Sequence, residues 1–386
     1  MFGHRFHPKY FSRHLDTEIK EIYWETIIAS LALSMVLIFE PIYLFTLGFS
    51  ISKILLFFAQ VYGWYLILIP LGAKFAGKWG YKKSIFISNI FYVLYWILLF
   101  LIGSNQMLFF VAPIFFALQK TFFWPAYNAD IAINSGKKQT GREVGALFAT
   151  VQIVSVIGPF IGGVISYKFG FMTLFVTVSV LMLVSVYPLS RSPEMYSTHI
   201  FTFRNFWNIW KNKYVNFIGY WGFAPHMMMI TIWPVVIFLA ISNVFGVGVI
   251  TTVASALAAV LMLYIGRLTD KMHGPDLVKL SSLFYSMTWV FRFLALGVPA
   301  ILAFDVLTKF GQGVLDVEGN SLTFEIAGSQ KADYAIAYSV FYEFSLSVGK
   351  IVLALGGIWI LALGGSISMI FVLAGALTLL FGLLRK

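Results

Sequence analysis

The chain contains no cysteine, which excludes disulfides and every thiolate metal site. Charge is nearly as scarce. Asp, Glu, Lys and Arg make up 11% of the 386 residues, and acids are the rarer kind, 16 against 27 bases. So little polar surface cannot keep a soluble domain of this length dispersed. Also missing are a phosphate-cradling Gly-Lys loop, a His-Glu-x-x-His motif, and a Ser-His-Asp set in plausible context. The sequence therefore offers no catalytic residue, no cofactor site and no metal ligand set. His4, His7 and His14 lie in a polar tail and read as solvated. The first 22 residues are polar and mixed in charge, and the apolar run behind them is too long for a signal peptide.

What is abundant is apolar: 60% hydrophobic, 18% aromatic, 40 Phe and a mean hydropathy of +0.86. A helix crossing the hydrocarbon needs about 20 apolar residues. Twelve such runs are present: 24–47, 54–76, 84–103, 106–130, 144–166, 170–188, 216–241, 246–268, 277–296, 298–320, 334–356 and 359–383. They predict an all-α membrane protein of twelve transmembrane helices in two six-helix bundles. The divisions are a tail (1–23), a first bundle (24–188), a central loop (189–215) and a second bundle (216–386). With the N-terminus placed in the cytoplasm, 21 of the 27 Lys and Arg fall in cytoplasmic segments, only Lys53 and Lys168 fall outside, and four lie within spans. Such asymmetry sets orientation in a bilayer, so both termini are expected in the cytoplasm and the protein in the cytoplasmic (inner) membrane. The net charge of +11 is spent in short loops rather than gathered in one patch, which argues against nucleic acid as a partner.

The chain also looks written twice. Pro41 and Pro234 sit inside long apolar runs 193 residues apart, and Gly77-Lys78 and Asp270-Lys271 end the next runs at the same spacing, half the chain length. Duplicated membrane chains of this size are typically secondary transporters, whose halves rock about a midplane site. In the central loop, Phe203, Phe206, Trp207, Trp210 and Tyr214 recur at helical spacing, with Arg204, Asn208, Lys211 and Lys213 between them, predicting an amphipathic helix in the interface.

These residues carry a family resemblance over essentially the whole length, to the major facilitator superfamily. Pro41-Ile42-Tyr43-Leu44 through Leu47-Gly48-Phe49-Ser50 resembles that family's exit from helix 1. The family repeats a G-x-L-A-D-R-x-G-R-R loop after helices 2 and 8. Gly266-Arg267-Leu268-Thr269-Asp270-Lys271 is similar to its start. The first copy keeps Lys78, Gly80, Lys82 and Lys83 but has Gly77 in place of the acid. Gly158-Pro159-Phe160-Ile161-Gly162-Gly163 is similar to the helix 5 signature of the family's antiporters. The helix 4 Arg usual in proton–drug antiporters has no counterpart in Phe109–Pro113. The resemblance implies a cavity lined by helices 1, 4, 7 and 10.

Ionisable groups inside a span are costly and usually functional or paired. They are Glu40, Lys120, Arg292, Asp305, Lys309, Asp316, Glu343 and Lys350, with His226 besides. Asp305, Lys309, Gln312 and Asp316 share one helical face and read as cavity-lining. Glu40, beside Pro41 where the backbone is partly freed, and Asp305 are the candidates for proton coupling. Lys120, Trp124, His226, Trp233, Lys309, Gln312 and Asp316 are the candidates for the substrate cavity, Lys120 and Lys309 either gripping an anion or neutralised by Glu40 and Asp305. Arg292 is expected to be structural, and Glu343 with Lys350 an internal pair or a gate. Three functions follow from this reading: a proton-coupled exporter of small amphipathic molecules, acting as a monomer; a carrier of an organic anion or sugar-like solute; or a non-transporting protein of the same fold, a lipid scramblase or membrane partner.

Overall fold

The computed structural model describes residues 17–134, 140–188, 200–269, 275–330 and 332–385. Asp270 and Lys271 of the loop motif lie outside them. The described residues are helical, without strands: α1 (Thr17–Val36), α2 (Phe39–Thr46), α3 (Ile51–Trp79), α4 (Tyr81–Leu101), α5 (Leu108–Asn134), α6 (Thr140–Val186), α7 (Phe203–Asn212), α8 (Tyr214–Gly219), α9 (Pro225–Ile230), α10 (Ile232–Ile241), α11 (Val244–Thr269), α12 (Pro275–Val290), α13 (Val298–Gly328), α14 (Ala332–Ala362) and α15 (Ile367–Thr378). Among the described residues, nine segments are at once long and apolar enough to cross a bilayer. Twelve spans result when the 47-residue α6 is divided at Gly170, whose φ of +83° breaks the helix, and when α12 and α15 are counted with the 3₁₀ turns that extend them.

Two spans expected to be continuous are broken, at equivalent places. α1 gives way to α2 at Leu37–Ile38, and α9 gives way to α10 at Thr231, with φ −116° and ψ −73°. Ile38 and Thr231 each precede a repeated proline, Pro41 and Pro234, by three residues. Proline has no N–H to bond the carbonyl four residues back, and its ring clashes with that carbonyl. One residue type at one spacing therefore yields the same hinge in both halves. Pro225 and the 3₁₀ turn Tyr220–Phe223 divide the second of these spans further.

In the first half α1 packs on α6, and α3 and α4 on α5; in the second, α11 and α12 pack on α13, and α12 on α15. The halves meet where α6 lies on α11, α14 on α3 and α5, and α10 on α2. The Gly-Pro signature sets the first of these crossings. A Cβ at Gly248 of α11 would fall 2.5 Å from the Pro159 carbonyl oxygen, and on the other side of α6 one at Gly162 would run into the Met35 backbone of α1. Gly158 likewise admits Ser34 of α1.

α7 is amphipathic, as its spacing predicts, but ends at Asn212, so Tyr214 opens α8 instead. Thr202 caps it by accepting from the Asn205 N–H at 3.3 Å, a satisfied N-terminus of the usual kind. Its inner face sets Phe206 against Phe341 and Phe344 of α14. Lys74 of α3 lies 5.3 Å over the Phe203 ring, and the Ile200 N–H donates to Asp333 at 2.9 Å. The central segment thus touches both halves.

Candidate functional site

A cavity of about 240 Å³ lies among α9, α10, α11 and α13, closed on its far wall by Ile38, Ser155 and Val156 of the first half. The polar face of α13 supplies Asp305, Lys309, Gln312 and Asp316; α9 and α10 supply His226 and Trp233. The broken helix matters here: it turns Trp233 inward just beyond the hinge at Thr231.

Asp305, 1% exposed, is well satisfied among the described residues. It accepts from Trp233 Nε1 at 3.0 Å and from Lys309 Nζ at 2.8 Å, and Arg292 Nη2 stands 3.9 Å away. Lys309 also donates to the Thr251 carbonyl at 3.0 Å. Arg292 lies between two indoles, 3.7 Å from the Trp233 ring and 4.2 Å from that of Trp289, and its guanidinium meets the Met229 sulfur at 3.4 and 3.5 Å. A buried cation keeps its charge only with such compensation, here a carboxylate and two ring faces.

Asp316 is placed differently. The Gln312 amide nitrogen donates to it at 3.4 Å and contacts His226 Nδ1 at 2.5 Å. With the amide donating to both, His226 Nδ1 is an acceptor. No base lies within 4.0 Å of Asp316 among the described residues. The cavity therefore holds one compensated carboxylate and one that a solute can reach.

The expected meeting of Glu40 and Lys120 with this cavity does not occur. Glu40, 1% exposed, turns into the first half, where Tyr95 Oη donates at 3.0 Å and Trp96 Nε1 at 2.7 Å. Lys120 lies over Phe116 at 4.7 Å and Tyr62 at 5.5 Å, so it is not ion-paired to Glu40. Trp124 packs edge-on against Phe123 and Tyr127, away from the cavity. Cation–π geometry and helix rotation are set by packing, which spacing along one helix does not encode.

The sequence reading did not single out Tyr95, Trp96 or Trp289, although a signal was there. Phe91-Tyr92-x-x-x-Trp96-x-x-x-Phe100 and Phe284-Tyr285-x-x-x-Trp289-x-x-x-Phe293 match at the 193-residue spacing. In both halves this indole meets a buried ionic group: Trp96 donates to Glu40 of α2, and Trp289 stacks on Arg292, three residues further along its own span.

Glu343 and Lys350 do not pair with each other. Glu343 accepts from Asn128 Nδ2 at 2.9 Å and from Tyr65 Oη at 3.3 Å, both in the first half. Lys350 lies 4.8 Å over the Tyr62 ring. Of the loop motif, Gly77 and Lys78 form the last turn of α3, Gly80 makes the turn into α4 with φ +96°, Lys82 begins α4, and Gly266 lies near the end of α11.

A family model described as Major Facilitator Superfamily matches residues 26–233, more than half of the chain. The chain belongs to the major facilitator superfamily. Its fold is similar to that of the POT family transporter PepTSo, with a TM-score of 0.71 at 13% identity over 96% of this chain and 97% of that one. An auto-inhibited POT family peptide transporter gives 0.73 at 11%, covering 95% and 96%. The nucleoside transporter NupG gives 0.69 at 11%, covering 95% and 98%. No curated protein matches the sequence. The superfamily membership makes the chain a multi-pass membrane protein of the secondary transporter class, with small molecules as its substrates.

Proposed function

We propose that this member of the superfamily is a proton-coupled exporter of a small amphipathic solute bearing a cationic centre, acting as a monomer in the cytoplasmic membrane with both termini inside. The observation that carries the reading is Asp316. It is an intramembrane carboxylate on a cavity wall with an amide for a neighbour and no base within 4.0 Å among the described residues. A carboxylate so placed takes either a proton or a cationic solute, and the two compete for the same oxygens, which is the chemical basis of exchange. The cavity, about 240 Å³, lies below the range of about 300–1,000 Å³ usual for ligand pockets and suits a small solute. Met229, Met262 and Trp233 give it an apolar side. The antiporter-like Gly158-Pro159 signature supports export.

In this reading the proton role considered for Asp305 passes to Asp316. Asp305 accepts from Trp233 and Lys309 and has Arg292 3.9 Å away, so its charge is already matched by the protein's own cations. Glu40, with two donors and no ion pair within 4.0 Å among the described residues, keeps its place as the coupling acid of the first half. The test uses liposomes with an internal pH dye, an imposed proton gradient, and a panel of small amines, organic anions and sugars. Amine-dependent proton flux, abolished by Asp316→Asn and impaired by Glu40→Gln, is expected. Undiminished flux in Asp316→Asn would overturn the reading.

A further inference from the structure

Outside the cavity, two lysines from opposite halves converge on one ring. Lys120 of α5 lies 5.5 Å from the Tyr62 centroid and Lys350 of α14 lies 4.8 Å from it. Neither ammonium has a hydrogen bond or ion pair among the described residues, and neither does the Tyr62 hydroxyl. The nearby acids, Glu343 and Glu40, spend their oxygens elsewhere, on Asn128 and Tyr65 and on Tyr95 and Trp96. Two like charges facing each other across the contact between the halves oppose its closure, and a ring face compensates an ammonium only in part.

We propose that Lys120, Lys350 and the Tyr62 hydroxyl form an anion subsite that takes a carboxylate, so that the transported solute carries both charges. The proposal rests on the cation-binding role assigned to Asp316 and adds the other end of the solute. α13, which carries Asp316, packs on both α5 and α14, which carry the two lysines, so the two sites share one interior. With Glu343 as their shared counter-charge the two lysines still carry a positive charge in excess, which a carboxylate between them compensates. It does so only when the halves are together, because one lysine belongs to each half. Binding is therefore stronger in the closed state, which is the condition for a ligand to shift the equilibrium toward it.

The experiment is thermal unfolding of the purified full chain at constant ionic strength, with benzoate, benzylamine, phenylalanine, benzamide or chloride added. A ligand that binds only the folded state raises the midpoint by an amount that grows with the logarithm of its concentration relative to its Kd. Benzoate should raise it and benzamide and chloride should not, and phenylalanine should bind at least tenfold more tightly than benzoate or benzylamine. Lys120→Met and Lys350→Met should each abolish the benzoate shift and leave that of benzylamine; Asp316→Asn should do the reverse. The surface variant Lys53→Met should keep both. No benzoate shift in the unsubstituted chain, an equal shift with chloride, or a benzoate shift that survives both lysine substitutions would overturn the subsite, and the first two need no variant to fold. A benzoate shift lost in the lysine variants, with no benzylamine shift in the unsubstituted chain, would retain the subsite and defeat the Asp316 reading instead. Phenylalanine no tighter than benzoate would break the link between the two sites.

Discussion

At the scale of single residues, the second half is organised around Asp305. Its two oxygens accept from Trp233 and Lys309, and Arg292 stands 3.9 Å away, so it is the anion that balances one buried and one partly buried cation. Removing one partner of a buried ion pair costs about 3–5 kcal/mol, because the charge left behind has no water to return to. Asp305→Asn should therefore lower the unfolding midpoint sharply and reduce the folded yield on gel filtration. Asp305→Asn combined with Lys309→Met should recover much of the loss, since only Arg292 then remains charged, and it keeps its place against Trp233 and Trp289. A double variant no more stable than Asp305→Asn alone would show that Lys309 depends little on that carboxylate. Asp316, with no such ring of donors, should tolerate Asn with little change in midpoint while losing its binding role.

At the scale of elements, the α6–α11 crossing is a contact made of absences. Gly163 meets Gly248, and the Pro159 carbonyl sits where any side chain on residue 248 would begin. Gly248→Val places a Cβ 2.5 Å from that oxygen and two methyl groups beyond it, against backbone that cannot yield cheaply. The helices must then separate at that end. The expected result is a folded protein with transport reduced at least tenfold and a cavity more open from that side, read as faster maleimide labelling of a cysteine placed at Ser255. Unchanged labelling and transport would mean that this crossing does not close during the cycle. The proline hinges belong to the same scale. Ile38 and Thr231 are equivalent points in the two halves, each at the inner end of a short helix, α2 or α10, that packs against the other. These are the elements able to move without disturbing the longer helices behind them.

At the scale of the whole molecule, the architecture was legible because it rests on one-dimensional signals. Apolar run length marked the spans, and a 193-residue echo marked the halves. The polar face of α13 was legible for the same reason: Asp305, Lys309, Gln312 and Asp316 lie along one helix, and helical spacing fixes their direction. Glu40, Lys120 and Trp124 were placed less well, because whether they face a cavity or a neighbouring helix depends on helix rotation, which packing decides. The Tyr62 site and the Glu343 contacts with Tyr65 and Asn128 join elements from opposite halves, and no local pattern announces such a meeting. These long-range contacts bear on transport. Around the cavity the halves touch at both ends: Phe45 meets Phe238 with ring centroids 6.3 Å apart at one end, and Glu343 meets Tyr65 and Asn128 toward the other. Alternating access requires that these two sets of contacts not be broken together. The chain has no cysteine, so Phe45→Cys with Phe238→Cys can be bridged by a short bifunctional thiol reagent without background. Bridging should stop transport while leaving the cavity within reach from the Glu343 side, so that benzylamine still raises the unfolding midpoint. Cleaving the bridge should restore transport. Transport that continues with the bridge complete would mean that the halves do not part at Phe45 and Phe238, and that the solute leaves by a path other than the seam between α2 and α10.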